Sequence, residues 1–273
     1  MGLYCLLLIP FLSDVGEHKR ELKDFSLCFY TSAASFVLCL FLFYFVSPRF
    51  SARISSGYCK LSVAKKTDWD TRIGSNLHAV VVSTISLYCF IFDEETASNP
   101  IKNDGVLVRV GVAITLGYIL ADFLIIVWSY KYIGDLFTLV HHLMAISAYY
   151  FVVVSGVLPY FANVRQLAEI STPFVNQRWF FDAVGHHRSS SSFIINGYVM
   201  GASFFFCRIL MMPIYYYKCY LVWGSEEQLQ LGALINFFWI STCIVLDIIN
   251  LYWFTKIVKG AMKLTQKLKD RKD

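Results

Sequence analysis

Residues 134–181 read GDLFTLVHHLMAISAYYFVVVSGVLPYFANVRQLAEISTPFVNQRWFF, and the placement of this stretch decides the fold. Its first half is an apolar run that carries adjacent histidines, His141 and His142. The chain then turns at Gly156–Pro159. The second half is unusually hydrophilic, holding Asn163, Arg165, Glu169, Ser171, Thr172, Asn176 and Arg178. At membrane depth, lipid tails offer such groups no hydrogen-bond partners, so they must face protein or a polar cavity.

Working outward, the 273-residue chain is 57% hydrophobic and 16% charged, too apolar for an ordinary soluble domain. The length suits one membrane domain. The net charge of +5 collects beside apolar runs, which reads as topology information rather than nucleic-acid binding, and no aromatic-interleaved basic motif is present. Eight cysteines lie scattered without a C-x-x-C pair, so neither a disulfide framework nor a zinc site is expected. They read as small apolar packing residues.

Hydropathy places transmembrane helices at 26–46, 75–92, 106–128, 136–157, 193–214 and 231–255, and misses a polar candidate at 160–181. Residues 1–25 form a lead-in: the apolar run 1–12 is too short to cross, lacks a basic start, and has Leu6 where a myristoylation signal wants Ser or Thr. The loop after the first span carries Arg49, Arg53, Lys60, Lys65, Lys66 and Arg72 against Asp68 and Asp70, and the tail 259–273 is strongly basic. Both belong in the cytosol by the positive-inside rule. Returning to the same side takes an even number of crossings, so the polar span 160–181 has to cross. Seven spans result, with a luminal N-terminus and a cytosolic C-terminus.

A helix that polar needs shielding. Arg165 and Glu169 are four apart and suited to pair along one face, and Pro173 is placed to bend the helix beside a cavity. Asp122, His141, His142, Arg208 and Asp247 also lie within spans. Dispersing so many ionisable groups in lipid costs several kcal/mol, on the order of 3 kcal/mol for each charged group at mid-depth, so one shared polar interior is the expected arrangement. Neighbouring histidines on a helix point about 100° apart. One is thus expected to face the cavity while the other holds a neighbouring helix; a purely structural pair is the competing reading. The spacing does not suit a metal, and no nucleotide, haem or serine-hydrolase motif is present, so no cofactor is expected. His186–His187–Arg188 with Ser189 to Ser192 reads as a solvated loop. No internal repeat is evident, which disfavours an inverted-repeat transporter.

The segments DWDTR (68–72), IGDLFTLVHH (133–142), AYYFVVVSGVLPYFANVRQLAEISTPFVNQRWFFD (148–182) and the VLDIIN–W–K–G pattern (245–260) resemble the TLC-domain membrane proteins. The resemblance covers residues 68–269. It implies an all-α polytopic fold, a helical barrel of about six spans plus the N-terminal span, around an interior that accommodates lipid in the endoplasmic reticulum. The ceramide synthases of this family join a comparable histidine pair to a later His-Asp signature; here the aligned region reads Asn163-Val-Arg165-Gln-Leu-Ala-Glu169, without it. The expectation is therefore a role in lipid homeostasis by binding or handling a lipid or acyl chain. The alternatives are a ceramide-synthase-like acyltransferase using His141 or His142 and a cargo receptor or translocon-associated scaffold. Candidate ligand-binding residues are His141, His142, Asn163, Arg165, Glu169, Asn176, Arg178, Asp122, Arg208 and Asp247. The tail KDRKD resembles a retrieval signal of the endoplasmic reticulum.

Overall fold

The computed structural model describes residues 22–103 and 105–269. The lead-in up to residue 21 and the last residues of the retrieval-like tail lie outside the described residues. The described chain is helical, without a named strand. Among the described residues, six helices are long and apolar enough to cross a membrane. They are α1 (Ser26–Ile54), α2 (Val63–Phe92), α3 (Val106–Trp128), α4 (Leu136–Ser155), α7 (Ser191–Val222) and α8 (Gly232–Lys269). Between α4 and α7 lies the polar stretch, built as α5 (Pro159–Gln166), a 3-10 turn (Leu167–Ser171) and α6 (Thr172–Ala183).

Pro173 sets that break. It has no N–H to give the carbonyl four residues back, that of Glu169, and the Thr172 N–H reaches Glu169 O instead, closing a tighter turn. The rod nevertheless runs the length of the bundle. The Asn163 amide donates to Ser86 O near one end of α2, and the Asn176 amide donates to Ser75 and Asn76 further along. Trp179 meets Trp69 near the start of α2. From Ser86 back to Trp69 is about 25 Å at 1.5 Å per residue, close to the thickness of a hydrocarbon core. The side chains that hydropathy penalises are spent on a polar seam with α2. The turn into α5 is held by backbone: the Leu158 N–H donates to Ile101 O, and Gly156 takes the left-handed conformation that glycine adopts without strain.

Going round the bundle, α2 neighbours α3, α3 neighbours α4, and α4 neighbours α8. Then α8 neighbours α7, α7 neighbours the α5–α6 rod, and that rod returns to α2. Six rods thus close a ring. α5 leans inward against α3, filling one end with Phe161, Tyr215 and Trp239.

α1 stands outside the ring against α3. The Ser32 and Ser35 hydroxyls donate to Ala113 O and Ile114 O, and the approach at Gly117 is close enough that a Cβ there would lie 2.1 Å from Ser32 O. Small residues permitting backbone contact are the usual basis of helix association in lipid. At its far end α1 is latched to α2: Asp70 accepts from Ser47 Oγ at 2.6 Å and Tyr58 Oη at 2.9 Å, and Trp69 Nε1 donates to Ser51 Oγ. Burial, reinforced by the Asp70 carboxylate, pushes the Tyr58 hydroxyl well above its ordinary pKa, so it stays a donor. The antiparallel order brings the basic ends of α1, α2, α6 and α8 together and leaves Asp93, Glu94, Glu95, Glu226 and Glu227 at the opposite end.

Candidate functional site

Inside the ring the polar residues sort into pairs that hold helices together and groups that remain free. His142 belongs to the first kind. Its Nε2 lies 2.8 Å from Asp122 Oδ2 on α3, and its Nδ1 donates to Thr138 O at 2.8 Å. Both ring nitrogens are engaged. Arg165 also pairs, though with a different partner from the one its spacing suggests. Its guanidinium grips both carboxylate oxygens of Asp247 on α8, lies 4.1 Å over the Tyr215 ring, and shares Asp247 with the Tyr216 hydroxyl. The fork geometry of two parallel N–H donors suits this carboxylate. Glu169 has rotated away, because residues 167–171 advance with three per turn and i+4 no longer lies on the same face.

Arg208 is different. It sits on a π-helical turn, Phe205–Ile209, within α7, and such turns recur at functional positions. Its Nε donates to Ser171 Oγ, Nη1 to Asn250 Oδ1 and Nη2 to Thr172 Oγ1. All three acceptors are neutral, and among the described residues no carboxylate lies within 4.0 Å of it. Its nearest link to an anion is indirect, through Thr172, which donates to Glu169 Oε2 at 2.8 Å. A π turn on α7 and a 3-10 turn on the opposing rod therefore bring a cation and a carboxylate to the same depth, separated by one hydroxyl.

These groups line a cavity of about 70 Å³. Every rod of the ring contributes: His78 from α2, Tyr118 from α3, His141 from α4, Glu169 from the central turn, Arg208 from α7 and Asn250 from α8. His78 carries an assignable tautomer. The one hydroxyl hydrogen of Thr115 goes to Gly111 O, so Thr115 Oγ1 can only accept from Gln166 Nε2 and from His78 Nε2. His78 Nδ1 is then a bare acceptor, and among the described residues neither it nor His141 Nδ1 has a hydrogen-bond partner. His141 packs its ring 5.3 Å from that of Trp253, at 70° to the His142 ring. Toward the α5 end a second cavity of about 40 Å³ adjoins, lined by Phe161, Ile235, Trp239 and Val152. The two share Ala145, Tyr149, Arg165, Tyr215 and Leu246 as common walls. Chemically, the first can meet a group that both donates and accepts, and the second can meet hydrocarbon.

Of the residues singled out in the sequence, His141, Arg165, Glu169 and Arg208 face the chamber. His142, Asp122 and Asp247 hold its walls. Asn163 and Asn176 are committed to the α2 seam, and the Arg72 guanidinium also donates to Asn176 Oδ1. Arg178 lies elsewhere, stacked 3.6 Å over Phe193 near the basic end. Sequence reasoning left out His78, Tyr118, Tyr149 and Asn250. A signal for the first was present: Asp70, Gly74, His78, Val82 and Ser86 recur every fourth residue along the buried face of α2. No cluster of three or more metal-ligating side chains occurs among the described residues.

A ring of membrane-length helices closed around a polar chamber, with one helix outside it, defines a multi-pass helical membrane protein with an internal cavity. The TLC domain matches residues 68–259, from the start of α2 into α8, which takes in the ring and leaves α1 out. The chain belongs to the TLC domain family. It is 43% identical over 238 residues to TLC domain-containing protein 4 of Homo sapiens, covering 87% of this chain and 90% of that protein. It is 42% identical over 244 residues to TLC domain-containing protein 4-B of Danio rerio, covering 89% and 92%. With TLC domain-containing protein 4 A of Dictyostelium discoideum the identity is 28% over 210 residues, covering 75% and 78%. No solved structure matches the chain.

Proposed function

We propose that the barrel binds an amphipathic membrane lipid, with its polar head in the chamber and an acyl chain along the adjoining apolar cavity, and that the protein handles such a lipid in the endoplasmic reticulum. One observation carries this reading: a polar and an apolar cavity meet across shared walls inside a membrane bundle. Arg208, without a carboxylate of its own, supplies the charge for an acidic or carbonyl head. The bare Nδ1 of His78 accepts from a hydroxyl or amide. At 70 and 40 Å³ the cavities hold only a few waters, each needing about 10–15 Å³, so the walls have to part when a chain enters. The clustering of basic residues at one end supports a cytosolic placement for that end and for the C-terminus, with the N-terminus of α1 luminal.

The test is purification in mild detergent followed by mass spectrometry of co-purifying lipid. One lipid class should be enriched over bulk phospholipid and lost in Arg208→Gln and His141→Ala. An extract with bulk composition, the same in both variants, would end this reading.

A second reading has one specific observation behind it. His141 lines the chamber and its buried Nδ1 has no hydrogen-bond partner among the described residues, whereas His142 is engaged on both nitrogens, so an acyl transfer run by the pair would use His141. Membranes given acyl-CoA and a long-chain base should then yield a product that disappears in His141→Ala and persists, at reduced protein yield, in His142→Ala.

A further inference from the structure

A separate groove opens between α7 and α8 at the basic end, where neither the chamber nor the polar seam reaches. Its volume is about 240 Å³, against about 70 Å³ for the chamber. Arg178, Lys256, Gly197, Gly260, Ala261 and Tyr198 are among the residues that line it. We infer that this groove is a binding site for the anionic phosphate headgroup of a membrane lipid.

The charge argues for it first. No acidic residue occurs in α7, and in α8 none follows Asp247 up to Lys269. Among the described residues the carboxylate paired with Arg178 is Asp182, 3.7 Å from Arg178 and 3.0 Å from Arg188, so it is shared between two guanidinium groups. Lys256 has no carboxylate within 4.0 Å among the described residues; its ammonium rests 4.2 Å over the Tyr252 ring. The net field in the groove is therefore positive.

Geometry argues next. The Arg178 guanidinium carbon lies 3.6 Å from the centre of the Phe193 ring; Nη1 donates to Phe193 O at 3.4 Å and Nε faces Asp182 at 3.7 Å, which leaves the Nη2 N–H groups for a ligand. A fixed guanidinium plane with free N–H groups is suited to phosphate oxygens, and Lys256 adds a point charge from the other helix. Glycine at 197 and 260 leaves room: a Cβ on Gly260 would meet nothing within 4 Å. Exposed apolar side chains beside the groove, Ile195 at 60% and Met262 at 67%, offer acyl chains a surface. Basic pockets between membrane helices at the charged-leaflet side are where lipid headgroups of this type bind. The groove lies on the bundle's flank, so its occupant arrives from the bilayer.

The protein in phosphatidylcholine nanodiscs, with and without a minor fraction of phosphatidic acid, tests this by the phosphatidic acid retained after detergent extraction. Wild type should retain it over phosphatidylcholine. Lys256→Gln and Arg178→Gln should each lower retention about five-fold, the effect of one cation at a membrane surface. Gly260→Leu adds bulk to the groove from a position where a Cβ meets nothing within 4 Å, replaces a helical glycine with a better helix former, and should lower retention comparably. The same series made in an Arg208→Gln background, where the chamber has lost its cation, should show the same losses relative to that parent, so this site and the chamber reading fail separately. Retention that is absent, or equal in all variants, overturns the inference. Displacement by inorganic phosphate as effectively as by phosphatidic acid overturns it too, because the groove would then take a soluble anion.

Discussion

Nε2 of His142 and Oδ2 of Asp122 stand 2.8 Å apart across the interface of α4 and α3, with the two residues only 8% and 7% exposed. Because His142 Nδ1 donates to a carbonyl, which accepts only, the contact with Asp122 needs one more proton between ring and carboxylate. Whichever of the two holds it, the pair carries no net charge. Two ionisable groups thereby become a neutral clamp behind the chamber, leaving His141 free on the chamber side.

That clamp is testable by its coupling. His142→Ala strands a buried carboxylate and Asp122→Ala strands a buried imidazole, each costing about 3 kcal/mol. The double variant removes both and should cost less than the sum by about 1–3 kcal/mol. Unfolding free energies from sodium dodecyl sulfate titration measure all four corners of the cycle. Strict additivity would show that the two side chains do not depend on one another.

The Arg165 partnership separates two carboxylates that the sequence makes look equivalent. Asp247→Ala leaves a buried guanidinium without its bidentate partner and should destabilise by about 3–5 kcal/mol. Glu169→Ala breaks one hydrogen bond, from Thr172, and should cost about 1 kcal/mol. The same titration distinguishes them. The reverse order of severity would return Arg165 to Glu169.

How much of this was written in the sequence depends on the range of the interaction. Loop charge calls for a rod at 160–181 where hydropathy gives none, and the structure has one from Pro159 to Ala183, as two helices joined by a 3-10 turn. Helical pitch predicts that His141 and His142 point in different directions, and their rings stand at 70°; that His142 is the one turned to Asp122 is a long-range contact that pitch does not contain. The partner of Arg165 was not legible. Spacing favours Glu169 four residues on, but a 3-10 turn unwinds that register and Asp247, 82 residues away, takes its place. The start of α2 was missed for a related reason. Lys65, Lys66, Asp68 and Asp70 look like loop, yet the helix begins at Val63, capped by Ser62 and anchored by the buried Trp69 and Asp70. Long-range partners such as Ser47, Ser51 and Tyr58 supply that anchorage, and no local pattern contains them.

α1 hangs on a close approach. At Gly117 even a methyl group meets Ser32 O at 2.1 Å, a backbone atom that cannot swing aside. Gly117→Ala should push α1 off α3, lose the hydrogen bonds from Ser32 and Ser35, and cost about 1–3 kcal/mol by overpacking. Gly74→Ala, on a helix where an added Cβ meets nothing within 4 Å, should be neutral or slightly stabilising. Hydrogen exchange should show loss of protection in α1 for the first variant alone, with the ring unaffected because the ring closes without α1.

A crossing of the membrane by the polar rod has testable consequences at both of its ends. α5 begins beside Ile101 and Lys102, whose backbone meets Leu158 and Val157, so the turn at 156–158 shares a side with the acidic loop after α2. α6 ends beside the latch of Trp69 and Tyr58, where Trp69 packs on Phe180, so the loop at 184–190 shares a side with the basic loop after α1. Glycosylation acceptor sites inserted near residue 98 and near residue 187 should therefore behave oppositely, the first modified and the second not, with the second matching a site placed in the basic tail. Were the polar rod to lie flat on one leaflet, the sites near 98 and 187 would be modified alike, and the ring, with everything assigned to its interior, would be open on that side. The Asn163–Ser86 and Asn176–Asn76 contacts make the crossing the more stable arrangement, because they place the most hydrophilic face of the rod against the one stretch of α2 that offers it partners.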